Sequence, residues 1–163
     1  RSRGLGDVYK RQNKSCECST YSVQRYRSKI SGPLLDRIDM HVHVSSIPLN
    51  ELKSKRKQES SYEIKKRVLV ARKVQENRCN GSTNIVWNSN LSQLQIKSFC
   101  KLPKDASNLL EDAMTQLNLS ARSYHRILKV SRTIADLEGS NDILSNHIAE
   151  ALHYRCLDRG ALI

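Results

Sequence analysis

The residues with the clearest chemical potential are three arginines, two cysteines and a pair of histidines. Arg37 sits in Ser31–Asp39, SGPLLDRID, with a carboxylate on either side at Asp36 and Asp39. A guanidinium is a rigid fork of donors that matches carboxylates and phosphates. Arg37 can therefore pair with its neighbours to fix a turn, or be offered to an external anion. Arg122, Arg126 and Lys129 fall on one helical stripe beside an apolar face, so their stems can pack while their heads reach an anion. The plainer reading of that stripe is a solvated basic edge. Cys16 and Cys18 form a C-E-C pair, which supplies two thiolates where a tetrahedral structural zinc site needs four ligands. His41 and His43 flank Val42 and could serve as ligands, but surface alternation explains their spacing more economically. His125, His147 and His153 are expected on helix surfaces, with no partner to name.

Other kinds of site are absent from the sequence. It has no G-x-x-x-x-G-K-[ST] loop to cradle phosphates, and no apolar strand ending in paired acids to hold Mg²⁺. Without them this chain alone is expected not to hydrolyse ATP. No Ser-His-Asp grouping, catalytic carboxylate pair or dinucleotide fingerprint takes their place.

Lys and Arg outnumber Asp and Glu by 28 to 16, and the resulting +12 suits an anionic partner. Only 5% of residues are aromatic, so a base-stacking platform is not visible and nucleic-acid contacts would fall mainly on phosphates. No run of about 20 apolar residues and no apolar signal core occur, so a soluble, cytoplasmic protein without membrane contact is expected. The five cysteines are scattered and odd in number, unlike a secreted disulfide framework. Cys100 and Cys156 stand at apolar helical positions and are expected in the core.

Mostly helices must position these groups. Residues 1–15 are basic, carry two glycines and show no sustained period, which marks a flexible or artefactual arm. A short helix after Tyr21, a Gly32-Pro33 break and a turn through Leu34 and Leu35 lead to Asp39–Val44. There Met40, Val42 and Val44 alternate with His41 and His43, which predicts a strand near 39–44 with the histidines outward. The basic stretch including Lys53, Lys55, Arg56 and Lys57 reads as a solvated linker.

Ser60 and Glu63 form a capping box for a helix ending near Gly81, with Ile64, Val68, Ala71 and Gln75 on one stripe. A short helix follows at Leu91–Phe99. Pro103 opens the next, which buries Ala106, Leu110, Ala113 and Leu117. Ser120 caps a helix running to Glu138, with Gly139 as its stop and Ile127, Val130, Ile134 and Leu137 as its core stripe. Ser145 is expected to cap a last helix that buries Leu144, Ile148, Ala151 and Leu152. A lone strand without a partner implies sequence beyond this chain.

Four segments together resemble magnesium-chelatase-like AAA+ ATPases of the YifB and ComM competence type. They are SGPLLDRID, Glu59–Arg78 (ESSYEIKKRVLVARKVQENR), Leu119–Leu137 (LSARSYHRILKVSRTIADL) and His147–Arg159 (HIAEALHYRCLDR). The likeness runs in order from Cys16 to Arg159. It implies a mainly α chain: the C-terminal remnant of an AAA+ α/β ATPase core at 16–48, a linker at 49–59, a helical lid at 60–159 and a tail at 160–163.

The resemblance also implies roles. Arg37 becomes an arginine finger that reaches a neighbouring subunit's γ-phosphate. Arg122 becomes the sensor-2 arginine, reading its own subunit's nucleotide, with Arg126 a weaker candidate for the same phosphate. Cys16 and Cys18 become the second half of a four-cysteine insertion whose Cys-Pro-Cys-Gly first half is missing, so zinc binding by this chain is not expected. The whole protein is implied to be a hexameric ATPase using ATP and Mg²⁺ and acting on DNA, as in branch migration during recombination or natural transformation. Two alternatives remain at this point. One is the ATPase subunit of a magnesium chelatase; the other is a non-enzymatic basic helical module that binds nucleic acid.

Overall fold

A computed structural model describes residues 18–42, 44, 59–78 and 87–155. Cys16, His43, the basic run from Lys53 to Lys57 and Cys156 lie outside the described residues. Among the described residues seven helices follow one another: α1 Thr20–Arg27, α2 Gly32–Leu35, α3 Ser61–Arg78, α4 Gln93–Phe99, α5 Lys104–Gln116, α6 Ala121–Glu138 and α7 Ser145–His153. A 3-10 turn at Asn88–Asn90 precedes α4.

Local chemistry explains most of the boundaries. Glu63 accepts from the Ser60 backbone N–H at 2.8 Å, while the Glu63 N–H donates to Ser60 Oγ at 3.3 Å, closing the expected box at the start of α3. Ser92 and Gln95 build a second such box on α4. Ser120 Oγ accepts from Ser123 N at 3.2 Å and starts α6. Gly139 ends α6 with φ +78°, a left-handed conformation that an L side chain resists, and the Ser140 N–H returns to the Ala135 carbonyl at 2.8 Å.

Helix α6 is the axis of the lid. It packs on α3, α4 and α7, while α5 packs on α7. The core joins Ala106 and Leu110 of α5, Ile127, Leu128 and Ala135 of α6, and Ile148, Ala151 and Leu152 of α7, with Leu91, Ile96, Cys100 and Ile143 closing it. Fully burying an aliphatic side chain of this size contributes about 1.5–3 kcal/mol. Burial pushes the Cys100 thiol up to about 11, as expected of a core cysteine rather than a reactive one.

A polar network lies inside this helical layer. The Asp136 carboxylate has no exposed side-chain surface, and it accepts from Arg132 Nε at 3.0 Å, Asn88 Nδ2 at 2.8 Å and Arg78 Nη1 at 3.1 Å. Arg132 directs its two terminal nitrogens to the carbonyls of Ser140 at 2.6 Å and Asn141 at 2.8 Å. The end of α3 and the Asn88 turn are thereby tied to α6.

Several sequence expectations are corrected. Asp39–Val42 and Val44 form no strand, because no described strand lies beside them to complete a ladder. Their faces are also reversed: His41 is buried, and Met40, Val42 and Val44 are exposed. The first ten residues of α3 are exposed, so Ile64 and Val68 lie outside the core that Ala71 and Gln75 enter. Leu137 and Leu144 are exposed. The N-cap of α7 is Leu144, not Ser145, and its N–H donates to His147 Nδ1, in the first turn of the helix, at 2.9 Å. His147 is therefore buried, with its Nε2 hydrogen-bonded to Glu138, whereas a surface position was expected.

Candidate functional site

The segment bearing Arg37 is a short turn that cannot hold itself. Helix α2 has four residues, Pro33 in its first turn and no buried side chain. Leu34, Ile38 and Met40 are exposed and Leu35 is only half-buried, so burial alone does not fix its orientation. Polar contacts to the lid do so instead.

Asp36 Oδ1 accepts from Ser123 Oγ at 3.3 Å. The Ile38 carbonyl accepts from Arg155 Nη1, and Arg155 Nη2 donates to Ser123 Oγ at 3.1 Å. Asp39 pairs with Arg126 Nη1. The His41 N–H donates to the Tyr154 carbonyl at 2.7 Å. Residues 36–41 are thus stitched to the first two turns of α6 and to the end of α7.

Arg37 itself stays outside this stitching. Its guanidinium is exposed, and its hydrogen bond among the described residues is from Nη1 to the Pro33 carbonyl at 3.1 Å. It forms no ion pair with Asp36 or Asp39, the turn-fixing arrangement that the sequence left open; Asp36 faces Ser123 and Asp39 faces Arg126. Arg122, in the first turn of α6 beside Ser123, is also exposed and has no hydrogen bond or ion pair among the described residues.

The rest of the basic stripe is committed. Arg126 belongs to Asp39, and Lys129 Nζ donates to the Ser89 carbonyl at 2.8 Å. Burial, and then the Arg126 charge, lower the Lys129 ammonium below its ordinary value. The structure therefore separates two presented guanidinium groups, on Arg37 and Arg122, from two tethered cations.

Ser123 and Arg155 are the residues that sequence reasoning missed. Arg155 is 1% exposed, although it lies in a segment rich in polar side chains. Its partner carbonyl on Ile38 is 117 residues away, and no local pattern announces so distant a contact.

Among the described residues no group of three or more His, Cys, Asp or Glu is arranged to hold a metal ion. Cys18 is half-buried, and its partner Cys16 in the expected half-site is not described. No such group lies beside Arg37 or Arg122 among the described residues to hold Mg²⁺. Among the described residues no helix is long and apolar enough to cross a membrane.

Comparison with known proteins identifies the family. Residues 58–155 match the family described as magnesium chelatase, subunit ChlI C-terminal, and residues 5–52 match magnesium chelatase, subunit ChlI. The competence protein ComM of Haemophilus influenzae is 42% identical over 142 residues, which are 86% of this chain and 27% of that protein. YifB of Escherichia coli is 38% identical over 143 residues, 87% of this chain and 27% of its own length. YifB of Salmonella typhimurium is similar to the same degree. The chain thus spans about a quarter of the length of these relatives. It belongs to the magnesium chelatase ChlI family, with ComM and YifB among its homologues.

Proposed function

We propose that this chain is the C-terminal part of a ring-forming AAA+ ATPase, in which Arg37 reaches across a subunit interface to the γ-phosphate of a neighbour's ATP. One observation carries the reading. Both carboxylates that flank Arg37, Asp36 and Asp39, are engaged with the lid, while the Arg37 guanidinium is left exposed on a backbone carbonyl. A fixed fork of donors presented in this way can neutralise charge developing on a transferring phosphoryl group.

Arg122 would act beside it. Ser123 follows Arg122 and binds Asp36, which precedes Arg37, so the two guanidinium groups extend from one docked body. Both then suit a single phosphate, that of the neighbour, in place of the own-subunit role that the resemblance implies for Arg122. Arg126 supports the site through Asp39 instead of contacting nucleotide.

The remaining machinery falls to the rest of the protein. The phosphate loop and the residues binding Mg²⁺ are assigned to sequence that the relatives have beyond the length of this chain, and the working assembly to a ring of identical subunits, a hexamer in this reading. The name of the Haemophilus relative refers to competence. That name and the surplus of +12 support DNA as the remodelled substrate, with branch migration in recombination or transformation as the activity, in the cytoplasm.

The deciding experiment is Arg37→Ala in the full-length protein. ATP binding should persist while hydrolysis falls by roughly 10³-fold or more. Mixing the variant with subunits that carry Arg37 but cannot bind ATP should restore part of the rate. Near-normal hydrolysis by Arg37→Ala would remove the finger assignment. Stimulation of hydrolysis by added DNA separates this reading from a chelatase motor, which should be indifferent to it.

A further inference from the structure

We infer that Asp39, Arg126, Ser123 and Arg155 form a clamp that sets the position of Arg37 and transmits movement of α6 to it. The inference rests on the arginine-finger reading for its consequence in hydrolysis, but its geometry stands independently. All four are positioning residues; none is assigned a contact with nucleotide.

Helix α2 has no fully buried side chain: Leu34 is exposed and Leu35 half-buried, and of the residues that follow, Ile38 and Met40 are exposed while His41 is buried. Hydrophobic contact therefore specifies the direction of Arg37 only weakly, and directional polar contacts supply the rest. Two of them converge on Arg155, whose guanidinium is buried and spans the Ile38 carbonyl and Ser123 Oγ. Burying a charge is costly, and the directional bonds it makes in return are the kind that select one arrangement over its alternatives.

The Asp39–Arg126 pair differs from Arg155. Its side chains are 46% and 28% exposed, so it adds little to stability. It does fix register. Asp39 lies two residues beyond Arg37, and Arg126 lies one helical turn beyond Arg122, so the pair spans the same junction as Asp36 and Ser123. Two struts on one short segment oppose its rotation as well as its translation. A shift of α6 would consequently carry Arg37 with it. Because Arg122 rides on α6, the two guanidinium groups keep a constant relation as the lid moves.

The test uses charge exchange in the full-length protein: Asp39→Arg, Arg126→Asp and the combined exchange. Hydrogen exchange without nucleotide reads the clamp directly. Each single variant should speed exchange of the peptide covering residues 31–42, including the His41 amide, and the combined exchange should restore protection. In steady-state hydrolysis each single variant should lose up to roughly 10²-fold in kcat, the scale of a 1 Å misplacement, with KM for ATP unchanged. The combined exchange should recover most of that loss, and Arg126→Lys should retain most of the rate.

Three results would overturn the clamp. One is unchanged exchange at residues 31–42 in both single variants. Another is a combined variant no better than the singles, which would show that Arg126 acts through its own charge. The third is a fall in the unfolding temperature of the lid that tracks the loss of rate, which would make the pair merely structural. Failure of the finger reading is visible separately, as retained hydrolysis by Arg37→Ala, and leaves the hydrogen-exchange result to decide the clamp.

Discussion

Ser123 donates a hydrogen bond to Asp36 at 3.3 Å, joining the residue after Arg122 to the residue before Arg37. The two side chains are 87 residues apart in sequence, and their contact brings the two presented arginines onto one docked surface. If both arginines address one phosphate, their effects on hydrolysis should not be independent.

Arg122→Ala should lower ATP hydrolysis in the full-length protein with a smaller effect on ATP binding. The double variant Arg37→Ala/Arg122→Ala should then lose clearly less than the product of the two single losses, because groups that act as a unit on one charge are non-additive. A double-variant cycle on kcat measures this. Strictly multiplicative losses would assign the two residues to separate nucleotides.

Asp136→Ala should destabilise the lid severely. It leaves the Arg132 guanidinium, 3% exposed, and the partly buried Arg78 without their shared carboxylate. Breaking a buried pair from one side costs about 3–5 kcal/mol. Asp136→Asn should cost less, since it keeps the shape and one acceptor. Urea unfolding of the chain, followed by circular dichroism, checks the order Ala worse than Asn. A loss below about 1 kcal/mol for Asp136→Ala would place it among ordinary surface pairs.

This network also marks the limit of what the sequence could reveal. The capping box at Ser60 and Glu63, the Ser120 cap, the Gly139 stop and the burial of Ala106, Leu110, Ile127 and Ile148 were legible, because each depends on neighbours within a turn or on helical periodicity. Arg132 and Asp136 were not. At a spacing of four residues they look like a solvated helix pair, and only the approach of α3 and Asn88 buries them. His147 was misread for the same reason, since its burial depends on Glu138 and on the loop before α7. In the candidate site, Arg37 and Arg122 stood out by motif, whereas Ser123 and Arg155 acquire roles only through contacts that span most of the chain.

The start of α3 should depend on pH. Two hydrogen bonds from Ser60, the first from its backbone and the second from its hydroxyl, hold the Glu63 carboxyl below its ordinary value of 4.5. A carboxyl lowered in the folded state stabilises above the unfolded value, and that contribution disappears as pH falls through the folded one. Amide exchange of the first turn of α3 should therefore quicken as pH is taken below 4.5, once corrected for intrinsic rates. Glu63→Gln should remove most of that dependence. Identical pH profiles for the two proteins would count against the capping box as its source.

Cys100 gives the opposite dependence, at the alkaline end. Burial raises its thiol from 9.0 to about 11, because the thiolate would lie among Leu91, Ile96 and the other core side chains. Once pH passes 9.0 the unfolded chain can ionise this thiol while the folded chain cannot, so stability should fall between 9.0 and about 11. Cys100→Ala should flatten that part of the profile, at the expense of a small cavity. The same burial should make Cys100 inert to a thiol reagent near pH 8 in the folded chain and reactive in urea, since the thiolate is the attacking species. Labelling followed by peptide mass analysis distinguishes Cys100 from the other cysteines. Rapid modification of Cys100 in the folded chain would mean that the core around α4 and α6 opens more readily than its packing implies.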